Sequence, residues 1–273
     1  MNDYGTLEIV DGRYVLSFER RYSQPLERVW RAITDPDEMM MWFPSKVEGE
    51  RAVGEELVFS YDVLDEDSGE RAPEGFPVFR GEVLRFEPPR IFQFTWGPEV
   101  IRMELVPDGE GTRLLFSQIL AHRATAGRNG SGWHACLDAL EVHLGEEIEP
   151  ADGFDLYDEY VVRIGIPLGT PNGDGSVTWE LATHVGPGRV EEAVEASTEW
   201  VGTEVEAPLR LDFDAGDEST VYRVTHQAIG ADPELASTWH ARLIQLDLYL
   251  AAGVYHPVPP HAWVSQYAEL LGG

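Results

Sequence analysis

Two copies of one twelve-residue pattern decide the fold: WHACLDALEVHL at Trp133–Leu144 and WHARLIQLDLYL at Trp239–Leu250. In each copy the Trp and three Leu recur at i, i+4, i+7 and i+11, which places them on one face of an α-helix. Such a face is stable only when it is buried, and the stretch before each copy has the apolar–polar alternation of a β-hairpin. The pattern therefore predicts a long helix lying across a curved antiparallel sheet, once in full and once in abbreviated form.

The chain length favours two modules. At 273 residues the chain lies near the size at which single cores stop growing, and its 43% hydrophobic and 11% aromatic residues can fill two interiors. Residues 146–175 are acidic and then rich in Gly and Pro, which is typical of a linker. We therefore predict a boundary near residue 150, with one domain over 1–150 and a truncated duplicate with a C-terminal tail over 151–273.

The charge disfavours two classes of partner. The 49 acidic and 20 basic residues give a net charge of −29, which repels nucleic acid and anionic membrane surfaces. No apolar run is long enough to span a membrane and no charged-then-apolar leader opens the chain, so we expect a cytoplasmic protein. Cys136 is the only cysteine in the sequence, and its place beside the helix stripe favours a packed thiol over a nucleophile.

The first half shows strands and helices in a clear order. A strand over 14–22 precedes a helix that begins at Pro25. A second, short helix begins at Asp35-Pro36, where a capping carboxylate is followed by a proline in the first turn, and runs to about Trp42. Strands joined by short turns then predict an antiparallel meander over 56–64, 78–86, 91–96, 99–106 and 112–120.

The second half predicts fewer strands, over 176–185, 209–213 and 221–229. The last two form the hairpin before Asp232-Pro233, which repeats the helix start of Asp35-Pro36. The segment 188–200 fits either a short helix or a strand, and the tail over 255–271 ends in a small helix.

This order of elements resembles the helix-grip fold of the START-like, SRPBCC superfamily, and within it the group named after the activator of the ninety-kilodalton heat-shock chaperone ATPase. The resemblance covers roughly residues 14–145 and is carried by Pro25–Trp30 (PLERVW), the Asp35-Pro36 helix ending at Trp42, Gly81–Trp96 (GEVLRFEPPRIFQFTW), Gly111–Leu114 (GTRL) and Gly132-Trp133. It implies an α+β fold in which an antiparallel sheet wraps around a long C-terminal helix, followed here by a second, degenerate copy. It also implies a cavity between sheet and helix that members use for small apolar molecules. Chaperone activation is not implied, because a fold does not fix a function.

The sequence contains no catalytic or nucleotide-binding motif of the familiar kinds. Its eight His lack metal-ligand spacing, so we predict neither a metal nor a cofactor. Gly127–Gly132 could bind an anion at a helix start but is more typical of a flexible lead-in. His134 and His240 each follow the Trp of a copy and point about 100° away from the buried face. A contact at the helix flank explains them better than catalysis, because neither has an evident partner base or nucleophile.

For the cavity under the first helix we predict an aromatic lining with a few polar groups that orient a ligand. The predicted ligand-binding residues are Trp42, Phe59, Tyr61, Phe79, Trp96, Met103, Phe116 and Trp133. The predicted polar groups are Arg80, Arg102, Gln118 and His122, although a register slip of one residue would turn those in strands to the other face. Each apolar residue could equally well fill the core.

Three functions fit these features. The favoured one is non-catalytic binding of a small hydrophobic ligand, because the aromatic half carries no catalytic constellation. One alternative is an enzyme of the cyclase, dehydratase or hydrolase kind, which requires a titratable group inside the cavity. The other is a protein-interaction module resembling a co-chaperone, which requires an exposed apolar patch. The abbreviated second half could complete its apolar surface on the first half or in a homodimer.

Overall fold

A computed structural model of the chain describes residues 4–60, 78–151, 153–183, 187–188, 190–191, 193, 209–215, 220–252 and 257–272. The chain divides into two compact units. The first comprises Met1–Ala121 and Asn129–Leu156, and the second comprises His122–Arg128 and Tyr157–Gly273. The division is therefore not a single cut near residue 150. Among the described residues, no helix is long and apolar enough to cross a membrane.

An eight-stranded sheet forms the first unit. Its strands are β1 Thr6–Val10, β2 Arg13–Tyr22, β3 Lys46–Glu48, β4 Glu56–Ser60, β5 Phe79–Glu87, β6 Ile91–Trp96, β7 Glu99–Asp108 and β8 Gly111–Leu120. They lie in the order β1-β2-β8-β7-β6-β5-β4-β3, and each neighbouring pair described is antiparallel. The predicted meander is thus confirmed over β4 to β8, and β2 extends it by pairing with β8.

Two short helices interrupt the sheet, and one long helix follows it. They are α1 Leu26–Thr34, α2 Pro36–Met39 and α3 Ala126–His143, the last preceded by a 3-10 turn at Arg123–Thr125. Asp35 caps α2 as predicted, since its Oδ1 accepts the backbone N–H groups of Asp37 and Glu38 at 3.0 and 3.2 Å. The helix ends at Met39, earlier than the predicted Trp42.

The apolar face of α3 is buried on the sheet. Its stripe residues are 0 to 4% exposed: Trp133, Leu137, Leu140 and the following Leu144. The Trp133 ring lies 4.6 Å from that of Phe116 on β8 and 5.5 Å from that of Trp96 on β6. A long helix packed on a large antiparallel sheet confirms the expected helix-grip α+β fold.

The second unit repeats this plan with fewer strands. Its sheet has the order β11-β12-β10-β9, where β9 is Thr170–Pro171, β10 Val177–Thr183, β11 Leu209–Ala215 and β12 Thr220–His226. Its long helix is α5 Pro233–Ala252, capped by Asp232, and a last helix, α6, covers Val264–Leu271. The stripe of α5 is buried like that of α3, with Trp239, Leu243, Leu246 and Leu250 at most 9% exposed.

The structure departs from the sequence prediction in the segment between the two copies. A helix, α4 at Gly153–Ile164, lies where the composition indicated a linker. Its buried residues Leu156, Tyr157, Tyr160 and Val161 recur at helical spacing, a signal that the acidic composition obscured. Strand β1 was not predicted either. In the ambiguous segment 188–200 the described residues are helical, with Val190 and Ala193 buried.

Gly81 permits a close crossing of β5 and β6. A Cβ atom at this position would lie 1.8 Å from the carbonyl oxygen of Thr95 and 3.1 Å from the Phe59 ring. Here the Thr95 hydroxyl accepts the N–H of Glu82 at 2.8 Å, just beyond the last regular β5–β6 pair, Val83 with Phe94. Any larger residue would have to push the two strands apart.

We expect Gly81→Ala to lower the free energy of unfolding of the first unit by about 2 kcal/mol, because the methyl group overpacks the backbone of β6. Gly132→Ala is the matched control. It lies in α3 with nothing within 4 Å of the added Cβ, so the better helix former should stabilise by about 0.5–1 kcal/mol. Urea unfolding followed by circular dichroism measures both, and equal effects of the two variants would contradict the close crossing.

Candidate functional site

Six aromatic rings from three strands, one helix and one loop meet beside the middle of α3, and we call them the aromatic cluster. They are Phe43, Phe59, Phe94, Trp96, Phe116 and Trp133. The Phe43 ring is central, with its centroid 5.4 to 6.2 Å from those of Trp133, Trp96, Phe59 and Phe94. All members are at most 5% exposed except Trp96, which is partly exposed. The cluster therefore reaches from the core towards solvent along Trp96.

Strand alternation explains how these rings converge. Phe92, Phe94 and Trp96 are two residues apart on β6, so their side chains share one face of the sheet. Phe116 lies on the buried face of β8, where exposure alternates residue by residue. Phe43 follows the capped helix α2, whose last residue, Met39, is fully buried. The short helix thus brings Phe43 over the open face of the sheet.

A chain of buried hydrogen bonds runs along one edge of the aromatic cluster. The Trp133 indole Nε1–H donates to Gln118 Oε1 at 2.7 Å, and Gln118 Nε2 donates to Glu99 Oε2 at 2.5 Å. The backbone N–H of Ala121 donates to the other Glu99 oxygen at 3.2 Å. Gln118 is fully buried and Glu99 is 8% exposed. These bonds satisfy the indole and hold it in one orientation.

The predicted apolar site residues divide between the cluster and its surroundings. Phe59, Trp96, Phe116 and Trp133 are members of the aromatic cluster. Trp42 packs edge-on against Phe43, with ring centroids 5.5 Å apart, and donates its indole N–H to the carbonyl oxygen of Ala32 at 3.0 Å. Met103 is buried on β7, where it pairs with Phe116 of β8. Tyr61 and the side chain of Phe79 lie outside the described residues.

Of the predicted polar groups that the structure describes, only Gln118 is hydrogen-bonded to a member of the aromatic cluster, Trp133. The Arg80 side chain is 64% exposed and pairs with Glu56. Arg102 lies on the face of β7 opposite Met103, where it pairs with Glu104 and donates to Gln93 Oε1 at 3.1 Å. His122 is half-buried, and its carbonyl accepts the Thr125 N–H. The strand register therefore places Arg80 and Arg102 on the outer face of the sheet, away from the aromatic cluster.

Three residues of this site were not among those predicted: Phe43, Phe94 and Glu99. The sequence could have indicated Phe94 and Glu99. Phe94 lies an even number of residues from Trp96 on β6, and Glu99 lies an even number from Met103 on β7, so each pair shares one face of its strand. Phe43 follows no such rule, since it lies between α2 and β3 and its direction depends on tertiary packing.

His134 lies at the flank of α3 in a buried charged group. Its Nε2 is 3.6 Å from Asp138, and Asp138 and Glu141 pair with the buried Arg20 of β2 at 3.5 and 3.0 Å. No set of His, Cys, Asp and Glu in the described part of the chain could hold a metal ion. Burial raises the pKa of the Cys136 thiol to about 12, as expected of a packed thiol rather than a nucleophile.

His240 is buried in the second unit beside Tyr267. The Tyr267 hydroxyl accepts the indole N–H of Trp179 at 2.6 Å and the backbone N–H of Gly169 at 2.8 Å. Its own proton therefore goes to His240 Nδ1, 2.9 Å away, which must be the unprotonated nitrogen. The imidazole also stacks on Trp263 with centroids 4.5 Å apart. Burial lowers the pKa of His240 to about 3, so this side chain is a neutral part of the core.

Comparison with known proteins concerns mainly the first unit. The family model described as "Activator of Hsp90 ATPase homolog 1-like protein" matches residues 23–145. The chain is similar to the solved structure of CalU16 from Micromonospora echinospora, with 22% identity, coverage of 60% of this chain and 96% of that chain, and a TM-score of 0.46. A protein from Bordetella parapertussis shows 32% identity, coverage of 54% and 82%, and a TM-score of 0.42. A conserved protein of unknown function from Enterococcus faecalis shows 20% identity, coverage of 58% and 89%, and a TM-score of 0.46. No curated protein is similar enough to count as a match.

We expect Gln118→Leu to lower the free energy of unfolding of the first unit by about 2 kcal/mol, because Trp133 and Glu99 each lose a buried hydrogen-bond partner. Gln93→Leu is the matched control, since Gln93 is only partly buried and accepts a bond from Arg102 on the outer face. We expect its effect to stay within about 0.5 kcal/mol in urea unfolding. A Gln118→Leu protein as stable as the wild type would mean that these bonds do not hold the indole.

The lowered pKa of His240 predicts a loss of stability in acid. The unfolded chain takes up a proton near the ordinary His value of 6.5, and the folded state does so only near 3. Stability is therefore complete above 6.5 and falls as the pH drops, by about 1.4 kcal/mol per pH unit between these values. In urea unfolding at about pH 7 and pH 5, we expect His240→Gln to reduce the difference between the two pH values by about 2 kcal/mol. The exposed His261→Gln is the control, and the same reduction there would argue against the assignment.

Proposed function

We propose, from the premise that residues 23–145 belong to the family of activator of Hsp90 ATPase homolog 1-like proteins, that the first unit binds a small hydrophobic molecule against the aromatic cluster. The family supports this proposal, because its helix-grip fold typically binds hydrophobic ligands. The ligand would contact aromatic rings and would need little polar recognition.

One observation carries the proposal: Trp96 continues the aromatic cluster to the protein surface. Its ring lies 5.9 Å from Phe43 and 5.5 Å from Trp133, both buried, while its own side chain is partly exposed. A partly exposed indole in contact with buried rings gives an apolar molecule a continuous surface on which to leave water. Aromatic rings also bind such molecules through offset and edge-on contacts.

The polar groups favour binding over catalysis. Gln118 uses its carbonyl for Trp133 and its amide for Glu99. Both oxygens of Glu99 accept N–H groups of the chain itself, whereas a general acid or base needs an oxygen within reach of the substrate. These residues therefore orient Trp133 and leave an apolar surface for the ligand.

A protein-interaction role has less support in the described residues. Met40 and Met41 are 57 and 61% exposed directly after α2. Two neighbouring side chains form a much smaller surface than the several hundred Å² that mark a docking patch.

The proposal can be tested with N-phenyl-1-naphthylamine, an uncharged apolar dye that fluoresces strongly outside water. We expect saturable binding of one dye molecule per chain and about tenfold weaker binding to Trp96→Ala, because the variant loses the aromatic contact at the entrance, worth about 1.4 kcal/mol. Fluorescence titration at constant protein concentration measures the dissociation constants of the dye from the wild type and from Trp96→Ala.

Trp30→Ala is the matched control for this experiment. Trp30 is also a partly exposed tryptophan of the first unit, but its ring packs on Phe86, outside the aromatic cluster, at 5.4 Å. We expect it to bind the dye as the wild type does. Equal weakening in both variants, or no saturable binding by the wild type, would refute the site.

A further inference from the structure

Strand β1 lies at one edge of the sheet of the first unit, and no other described strand pairs with its outer side. Four of its five residues are exposed, including the apolar side chains of Ile9 at 70% and Val10 at 48%. A strand, helix or loop lying over β1 would bury these side chains. In the part of the chain that the structure describes, the outer edge of β1 is therefore open to solvent.

The turn between β1 and β2 determines which backbone groups face outward. Asp11-Gly12 is a two-residue turn in which both φ angles are positive, 50° and 76°. In hairpins of this type the flanking residues, here Val10 and Arg13, exchange both backbone hydrogen bonds. Because bonded and non-bonded pairs alternate along an antiparallel ladder, the N–H and C=O groups of Leu7 and Ile9 point away from β2. Such outward groups can pair with another extended chain.

Other edge strands of the two sheets carry features that prevent such pairing. β3 is three residues long and includes Lys46, β9 is two residues long and ends in Pro171, and β11 carries Arg210, Asp212 and Asp214. Short length, proline and charge are the means by which natural sheets avoid pairing at an edge. β1 has an unbroken register with β2, no proline and a single charged residue, Glu8.

We propose that β1 binds an extended segment of a partner protein as an added antiparallel strand, with a Lys or Arg of that segment opposite Glu8. When both outward residues bond to the segment, one of its side chains lies opposite Glu8 and its two neighbours lie on the other face, beside Leu7 and Ile9. Apolar neighbours fit there. This mode of binding relies on backbone hydrogen bonds and needs no broad apolar patch. It is independent of the aromatic cluster and goes beyond the function proposed for it.

The charge of the partner follows from Glu8. A cation opposite a carboxylate stabilises a pair of strands, whereas like charges opposite each other destabilise it. Two copies of this chain would bring Glu8 opposite Glu8 in the symmetric register in which Leu7 bonds to Ile9. Each copy also has a net charge of −29. A basic segment therefore fits this edge better than a second copy does.

The test uses the peptide acetyl-Thr-Val-Lys-Val-Thr-amide and the same peptide with Glu in place of Lys. In protein labelled with ¹⁵N-leucine, the Leu7 amide signal is the one that disappears in Leu7→Ile, and it reports on an outward N–H. At about 0.15 M salt, which screens the general attraction of an acidic surface for a cation, we expect the Lys peptide to shift this signal saturably with a dissociation constant of about 1 mM. We expect the Glu peptide to bind at least about tenfold more weakly. An unsaturated shift at about 10 mM Lys peptide, or equal binding of the two peptides, would overturn the proposal.

Glu8→Lys and Glu110→Lys form a matched pair, because both replace an exposed glutamate of the first unit and change the net charge equally. We expect Glu8→Lys to reverse the preference, so that the Glu peptide binds about tenfold more tightly than the Lys peptide. Glu110→Lys, in the turn between β7 and β8, should keep the preference of the wild type. The same change in both variants would show a general effect of charge and would refute the site.

Ile9→Pro and Ile9→Ala separate backbone pairing from side-chain contact. Proline at position 9 removes an outward N–H and no bond to β2, which is where an edge strand tolerates proline. We expect Ile9→Pro to weaken binding of the Lys peptide at least about tenfold and Ile9→Ala only about threefold. Equal weakening would contradict strand addition, and a dimer in sedimentation velocity that Ile9→Pro abolishes would show that a second copy takes the edge instead. The comparison of the two peptides on the wild type remains decisive if Ile9→Pro does not fold.

Discussion

The structure depends on the burial of one indole within each long helix. Trp133 is 3% exposed and Trp239 is 6% exposed, and each begins a stripe of three leucines that is buried on a sheet. An indole buries roughly 150–250 Å², which at about 25 cal/mol per Å² contributes roughly 4 to 6 kcal/mol before entropy is counted. Because the Trp fixes the first turn of the apolar stripe, it also sets which face of the helix meets the sheet. The repeated frame thus determines the position of the helix in both units.

Burying an indole brings a polar N–H group into the core, where it needs a hydrogen-bond acceptor. In the first unit, residues of the strands provide the acceptors. Gln118 lies on the buried face of β8 among apolar residues and accepts from Trp133. Its own amide then needs an acceptor, which Glu99 of the neighbouring β7 supplies. Each polar group in this chain of hydrogen bonds supplies the partner that the group before it needs. The same bonds hold Trp133 against Phe43 and Phe116, so the polar core residues shape the aromatic cluster.

The sequence predicted those parts of the fold that follow from local periodicity. The two helix stripes, the meander over β4 to β8 and the Asp-Pro helix starts are each determined by neighbouring residues, and the structure confirms them. Site residues were harder to predict. The alternation of side chains along a strand divides them between two faces, but it does not show which face is buried. Arg80 and Arg102 lie on the outer face, whereas Gln118 lies on the inner one, although all three are polar residues within strands. Phe43 belongs to no strand or helix, so only the tertiary packing of α2 could place it.

The shorter sheet of the second unit changes the chemistry beside its indole. In the first unit, the strand next to β8 on one side is β7, which brings a carboxylate to the level of Gln118. In the second unit, β12 lies between β10 and β11, and the residues paired with His226 are Val177 and Leu209. Neither of these side chains can accept a hydrogen bond, so the helix frame is kept while the acceptor beside it is not. In the second unit the Nε1–H of Trp239 therefore has no acceptor among the described residues, whereas Trp133 in the first unit donates to Gln118. The packing that specifies the fold is shared by the two units, and the polar neighbours of the indole are what distinguish them.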